Sequence, residues 1–377
     1  MINYSENKIN ILFITLRSGW GGAPKHIDLI IQNLFSRYNI SVAAPIEEPY
    51  GTEWIKKVGT ENYFKLPHRK FSVLKFFKLR AFIKKNKIQI IHAHGKGAGI
   101  YARLLKLLFI PKVKVIFTLH GFHIDAYNLL QKKAYLLLEK SLSMLTDLFI
   151  NVSQGEQNIC LENNIYKKSK AKVIYNAIPQ IEQHTDKIIL RRKLNLPENQ
   201  ILILSLTRFS YMKNIEATIN IAELLKDESK YIFVIVGDGE EKQVVENKAI
   251  EKNLKNILLL GYKSNPHDYI NASDIFLSTS RWEGLPYSLI EACMFGLPAV
   301  VTDVVGNNEV ILNNYNGRLF KQDDFLSAVT FIKEISEDEN LHHRFSINTK
   351  KHFVDNFSFD KMISTMDQVY KGIINND

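Results

Sequence analysis

The chain has only two cysteines in 377 residues, Cys160 and Cys293, far apart and each flanked by helix-like apolar residues. That scarcity excludes a disulfide scaffold and every zinc or iron–sulfur spacing, and it predicts two buried free thiols in a reducing compartment. No apolar run approaches the ~20 residues needed to cross a bilayer. The opening stretch, MINYSENKINILFITL, lacks a cationic lead and a small-residue cleavage site, so it is expected to be a first buried strand and not a signal peptide. There is no repeat of 20–50 residues and no low-complexity tract. Acid is scarce in the first half. Residues 1–180 hold 27 Lys/Arg against 11 Asp/Glu, whereas residues 181–377 hold 22 against 28, a balance of +16 against −6. Such asymmetry suggests that one half meets an anionic surface, with nucleic acid and membrane both open on charge alone.

What is present is an ordinary globular composition, 46% hydrophobic and 23% charged. Short runs rich in Ile, Val and Phe alternate with longer stretches of helical period. Strands are predicted at 9–16, 40–44, 88–92, 113–119, 148–152 and 173–175, and again at 201–206, 231–236, 257–260, 275–278, 299–302 and 318–320. Runs apolar on both faces and separated by helices indicate parallel strands covered on both sides. The pattern occurs twice, which predicts an α/β chain of two doubly wound, Rossmann-like domains. The polar stretch 176–187 marks the break between them. From about Asp360 the tail is amphipathic and helical, with Met362, Ile363, Met366, Val369 and Tyr370 on one face.

The richest segment is STSRWEGLPYSLIEACMFGLPAVVTDVVGNNEVILNNYNGRLF, residues 278–320. A strand ends in a loop, and EGLP then opens a helix with Pro286 at a first-turn position. Ligands of doubly wound sheets bind at the carboxyl ends of strands, and helix N-terminal amides there suit anions. Glu283 in the loop and Glu291 in the helix can therefore face one crevice, where carboxylates accept from vicinal hydroxyls of a sugar. An isolated pair of this kind would read as a helix-dipole carboxylate and a solvated helix residue; the surrounding glycines, proline and strand argue for a site.

This segment resembles glycosyltransferase family 4, whose signature is two glutamates separated by seven residues, and in particular its bacterial capsule, lipopolysaccharide and exopolysaccharide members. The resemblance runs over nearly the whole chain. It implies the GT-B fold, two facing Rossmann-like domains with a C-terminal helix returning toward the first. On that basis residues 1–180 are expected to bind the acceptor, residues 188–359 the nucleotide-sugar donor, and residues 360–377 to pack back on the N-terminal domain. The resemblance further implies that Glu283 contacts the transferred sugar, that Glu291 holds the nucleotide ribose, and that the amides of Gly284 and Leu285 approach the donor sugar. The segment SLTRFSYMKN resembles the family's arginine–lysine pair, which assigns Arg208 and Lys213 to the donor diphosphate. By themselves these two cations just past a strand would pass for surface charges. The glycines of SGWGGAPKH, notably Gly21 and Gly22, would meet the donor β-phosphate, although neither they nor VGDGEEK match G-x-G-x-x-G. Tyr262 and Lys263 form the expected base-side wall. TLHG resembles the family's histidine beside the donor sugar, which gives that position to His120. HAHGKG, with His92 and His94, reads as an acceptor-side loop, because no third ligand lies near enough in sequence for a metal site.

The chain holds no D-x-D. That counts against the metal-dependent glycosyltransferase architecture, so the expectation is no metal and no cofactor, with the nucleotide-diphosphate sugar, uridine-linked, as co-substrate. Transfer of a hexose with retention is implied. Front-face substitution is the expected route, since the family pattern places neither glutamate as the nucleophile of a retaining glycosidase, where carboxyls stand about 5 Å apart. The runner-up reading is a nucleotide-sugar epimerase on the same scaffold; a basic nucleic-acid-binding protein is a third, and both leave residues 278–320 unexplained.

Residues 65–87 carry nine Lys/Arg and no acid, with Phe71, Leu74, Phe77 and Phe82 interleaved at helical spacing. Lys70, Lys75, Lys78, Arg80, Lys84 and Lys85 fit a membrane-surface helix, each basic residue contributing about 1 kcal/mol near an anionic leaflet. An ordinary helix with its phenylalanines in the core fits equally. The expected partners are a nucleotide-sugar donor, a lipid-linked or oligosaccharide acceptor and an anionic membrane surface, with no nucleic acid. The expected location is the cytoplasmic face of the inner membrane.

Overall fold

The computed structural model describes residues 8–124, 127–181 and 185–375. The chain divides into two compact units, one formed by Met1–Asn176 with Asp360–Asp377 and the other by Ala177–Phe359. In the first, seven parallel strands are β1 (Asn10–Thr15), β2 (Asn39–Ala44), β3 (Tyr63–Lys65), β4 (Ile90–His94), β5 (Lys114–Thr118), β6 (Leu148–Asn151) and β7 (Ala171–Val173), ordered β3-β2-β1-β4-β5-β6-β7. In the second, six parallel strands are β8 (Ile201–Leu206), β9 (Tyr231–Val236), β10 (Ile257–Gly261), β11 (Ile275–Ser278), β12 (Ala299–Thr302) and β13 (Gly317–Phe320), ordered β10-β9-β8-β11-β12-β13. Counted from its own first strand, each sheet begins 3-2-1-4-5-6, the order of dinucleotide-binding domains. The chain reverses direction across the sheet between β1 and β4 in one unit and between β8 and β11 in the other. A crevice opens there because the helices on either side belong to opposite faces.

The strands form where both faces can be covered. Ile11, Leu12, Phe13 and Ile14 are all fully buried, as are Phe233, Val234 and Ile235 of β9. Burial of each such side chain contributes about 1.5–3 kcal/mol relative to exposure. Both cysteines lie in helices and are buried and unpaired, Cys160 in Gln154–Glu162 and Cys293 in Tyr287–Met294.

Several local expectations shift. β3 was not expected: it is a three-residue edge strand, YFK, too short and too exposed to show an apolar run. β4 begins and ends two residues later than predicted, so His92 and His94 stand inside the strand, buried, and not in an acceptor-side loop. Pro286 is the residue before the helix Tyr287–Met294, not its first turn. A helix at Lys187–Lys193, started by the Asp186 carboxylate on the amides of Ile188 and Ile189, follows the break between units.

The C-terminal helix Phe359–Asn375 buries Met362, Met366, Val369 and Tyr370. Tyr370 donates or accepts at 2.8 Å to Nδ1 of His92, and Asp367 Oδ1 receives the Tyr38 hydroxyl at 2.7 Å. Among the described residues no helix is long and apolar enough to cross a membrane.

Candidate functional site

In the second unit the loops beyond β8, β9, β10 and β11 are laced by backbone hydrogen bonds. Phe209 N–H donates to Asp238 O at 3.0 Å, and Glu241 N–H donates back to Phe209 O at 3.1 Å. Gly237 N–H donates to Gly261 O at 2.9 Å. The β8 loop therefore leans toward β9 in its first half. Its second half is held by β11: the Thr279 hydroxyl donates to Asn214 O at 2.9 Å, and Arg281 N–H donates to Met212 O at 2.8 Å. Asn214 takes the left-handed conformation (φ 52°) at the head of the helix Ile215–Leu224, which turns the chain sharply enough to aim Lys213 across the switch point.

There Lys213 Nζ lies 2.6 Å from Glu283 Oε1, and the Ser280 hydroxyl donates to the same oxygen at 2.6 Å. The side chains are 16% and 6% exposed, so the pair sits largely out of water, where an ion pair interacts far more strongly than at a surface. Glu283 is backed by Gly306. That residue has φ 89°, and a Cβ on it would fall 2.6 Å from Gly284 O and 3.1 Å from Glu283 Cβ. Only glycine allows this approach. Glu291 is buried in the helix Tyr287–Met294, with His267 Nε2 at 3.6 Å from its Oε1. Leu285 is buried, and Tyr262 is exposed in the loop after β10 with Lys263 half-buried beside it.

Arg208 does not join Lys213. Its guanidinium donates to Glu240 at 3.0 Å through Nε, with Nη2 at 2.9 Å, in an exposed pair. Ser280, Gly306, Glu240 and His267 went unremarked in the sequence. Only Gly306 carried a local signal, as a glycine in the short loop DVVG that follows the strand AVVT.

In the first unit Gly21 and Gly22 open the helix Gly22–Leu34 beyond β1, with Arg17 Nη2 within 3.6 Å of where a Gly21 Cβ would stand. His120 lies just past β5 with φ 58°, a conformation uncommon for a side-chain-bearing residue and often kept at functional positions. It is held from both sides. His94 Nδ1 is 2.9 Å from His120 Nε2, with the rings stacked at 5.2 Å, and His26 meets His120 edge-on at 5.1 Å. The Glu156 carboxylate accepts from the amides of Gly121 and Val152 and fixes the turn after His120. His26 was missed because it occupies an apolar slot of its helix. Its Nδ1 sits 3.0 Å from Asn176 Oδ1, and burial lowers its pKa from 6.5 to about 4. Burial, then the neighbouring imidazoles, hold His92, His94 and His120 well below the ordinary histidine range. These four rings are therefore neutral at physiological pH, able to donate and accept but not to carry charge. Among the described residues no three of His, Cys, Asp and Glu are grouped to hold a metal ion.

Of the basic residues picked from 65–87, Lys70, Lys78, Lys84 and Lys85 are exposed, whereas Lys75 and Arg80 lie against Phe64 and Phe109 at 5.5 and 4.5 Å from the ring centres. Phe71, Leu74 and Phe77 are exposed, while Phe82 packs on Phe64 at 5.4 Å.

Comparison with known proteins covers both units. Residues 186–352 match the family described as glycosyl transferases group 1, and residues 20–180 match glycosyltransferase family 4. An O-antigen biosynthesis glycosyltransferase of Escherichia coli, WbnH, is 30% identical over 81% of this chain and 84% of its own length. The Escherichia coli UDP-Gal:alpha-D-GlcNAc-diphosphoundecaprenol alpha-1,3-galactosyltransferase is 29% identical over 81% of this chain and 80% of its own. The crystal structure of the Anabaena protein HepE in complex with UDP-glucose superposes with a TM-score of 0.84 at 18% identity, covering 97% of this chain and 100% of that one. The fold is GT-B, and the chain belongs to glycosyltransferase family 4 as a hexosyltransferase.

Proposed function

We infer that the chain moves a hexose, with retention and without a metal, from a uridine-diphosphate sugar to a lipid-linked or oligosaccharide acceptor of surface-polysaccharide assembly, at the cytoplasmic face of an anionic membrane. The carrying observation is the buried contact of Lys213 with Glu283 at the switch point of the second sheet. The uridine donor and the lipid-diphosphate acceptor are drawn from the names of the galactosyltransferase relative and the HepE complex. The units divide the work, the first taking the acceptor and the second, with its acidic balance, the donor.

Lys213 and Glu283 neutralise each other, and Arg208 and Glu240 do the same. An arriving diphosphate offers both cations a stronger partner, with Arg presenting a planar fork and Lys a point charge. Release of Lys213 frees Glu283 to accept from hydroxyls of the sugar, held in place by Ser280 and Gly306. Glu291 takes the ribose hydroxyls, Gly284 and Leu285 offer amides to the sugar, and Gly21 and Gly22 approach the β-phosphate. Tyr262 and Lys263 stand at the base. His120, neutral and backed by His94, donates to the sugar without repelling its developing positive charge.

The bond from the anomeric carbon to the β-phosphate oxygen breaks, the acceptor oxygen forms its bond on the same face, and the acceptor proton passes to the departing diphosphate. Lys213 and Arg208 stabilise the charge that grows there. A nucleotide-sugar panel tests the donor. The fitting one raises the melting temperature by mass action and is consumed with release of its nucleoside diphosphate. A panel in which no uridine-linked hexose does either refutes the donor assignment.

A further inference from the structure

The helix Leu129–Ser143 of the first unit presents apolar side chains on two sides. Toward the protein it turns Leu142, with Tyr135 and Leu136 half-buried against the core, and Glu139, 1% exposed, which pairs with the fully buried Arg103 through two contacts of 2.7 and 3.2 Å. Toward solvent it turns Leu130, Leu137 and, one residue past its end, Met144, at 79%, 68% and 78% exposure. Their helical spacing puts these three on one line, with Ala134 between and Lys133 and Lys140 exposed beside it. A helix serving only its own core would carry polar residues on this outer face. Burying an ion pair is at best neutral for stability, and leucines left in water signal a partner elsewhere.

The same layer continues the pattern. The helices Val73–Lys85, Lys96–Leu108 and Leu129–Ser143 join β3 to β4, β4 to β5 and β5 to β6, steps that move one way along the sheet. Right-handed crossovers therefore set all three on one face. Leu74 and Leu107 are 63% and 58% exposed on the first two. From residue 65 to 144 the sequence carries seventeen Lys/Arg and two acids, Asp125 and Glu139. With Glu139 buried, no exposed acid remains there among the described residues. Even the helix start is capped without charge, by Asn128 and Gln131 in a reciprocal box.

We propose that the helix Leu129–Ser143 is a lipid-contact element. It lies along the boundary between headgroups and acyl chains of an anionic bilayer, with Leu130, Leu137 and Met144 inserted and Lys133 and Lys140 on lipid phosphates. A second copy of the chain is the poorer occupant, because a two-fold contact through this face would oppose two cationic surfaces without an acid between them. The proposal deepens the membrane part of the function above, moving the apolar contact beyond residues 65–87, and it is independent of the donor chemistry.

The test uses the full chain and vesicles of phosphatidylcholine, alone or with about one-third phosphatidylglycerol. Leu137→Cys carrying an environment-sensitive dye reports insertion, selectively because Cys160 and Cys293 are buried. The dye should shift to the blue on the anionic vesicles only, and brominated acyl chains should quench it. The triple change Leu130→Ser, Leu137→Ser, Met144→Ser should weaken flotation about thirtyfold or more, as three apolar side chains return to water. Its melting temperature and its UDP-hexose hydrolysis in solution should stay unchanged. A dye that remains in water on anionic vesicles, or a triple variant that floats like the parent, overturns the proposal. So does a triple variant whose only change is lost self-association by sedimentation, which assigns the face to a second copy. Insertion in a protein that hydrolyses no nucleotide sugar would leave this proposal standing and defeat the donor reading.

Discussion

Replacing Lys213 by alanine separates two consequences that its contact with Glu283 ties together. The change leaves the Glu283 carboxylate, 5% exposed, with the Ser280 hydroxyl donating to it and no cation opposite. Breaking a fully buried pair costs about 3–5 kcal/mol. Lys213 keeps 16% of its exposure, so water offsets part of this and the expected loss is about 2–3 kcal/mol. In turnover, withdrawing one preorganised charge from the leaving group costs about 100- to 1,000-fold. Denaturant unfolding measures the first and nucleoside-diphosphate release in the presence of acceptor measures the second. The double variant Lys213→Ala, Glu283→Gln distinguishes them. It removes the uncompensated carboxylate and should recover stability relative to Lys213→Ala alone, yet it should remain at least as slow. A Lys213→Ala enzyme turning over within fivefold of the parent refutes the diphosphate assignment. A double variant that recovers turnover with stability would show that the lysine serves the fold alone.

Three further outcomes are expected. Gly306→Ala forces a methyl against Gly284 O at 2.6 Å in a left-handed backbone, so turnover should fall more than about tenfold through displacement of Glu283, with the mutant still folded by circular dichroism; unchanged kinetics would remove Gly306 from the site. His26 is held neutral, with a folded pKa near 4 against an unfolded 6.5. Its contribution is complete above pH 6.5 and is lost as pH falls toward 4, about 2 kcal/mol of it by pH 5 at about 1.4 kcal/mol per pH unit. His92, His94 and His120 add in the same direction, so unfolding free energies that match at pH 7.5 and pH 5 would contradict the cluster. Tyr370→Phe deletes the 2.8 Å bond to His92 and should cost about 1–3 kcal/mol for the buried nitrogen left behind, read as a lower denaturant midpoint at unchanged slope; a midpoint equal to the parent's would show that the bond contributes nothing.

The strands and the two glutamates were legible because each announces itself locally. An apolar run of six residues has few places to go but a covered sheet, and EGLPYSLIE carries its own turn and helix start. The edge strand YFK has no such run, and the two histidines of IIHAH disguised the end of β4. The contacts of the site were not legible, since they join residues far apart: Lys213 meets Glu283 across 70 positions and His26 meets Asn176 across 150. The outer face of Leu129–Ser143 is hidden for another reason. Its sequence offers leucines on two sides, and periodicity alone cannot say which side the protein takes and which it leaves to something else.

Arg208 and Lys213 show what decides such cases. Separated by four residues in a single loop, they suggest one cationic pocket. The loop, however, straddles the point where the chain reverses across the sheet. Its first half is bonded to the β9 side through Phe209 and Asp238, and its second half to the β11 side through Asn214 and Thr279. The two cations are thus drawn to different carboxylates, Glu240 and Glu283. Spacing in sequence gives the distance two side chains could keep; the strand order beneath them determines whether they face the same way. A diphosphate that engages both must bridge that divide, which makes Arg208, exposed and loosely paired, the cation free to move and Lys213 the one already in place. Arg208→Ala should accordingly raise the KM for donor more than it lowers kcat, and Lys213→Ala the reverse; equal effects on both constants from either change would mean that the two act as one pocket after all.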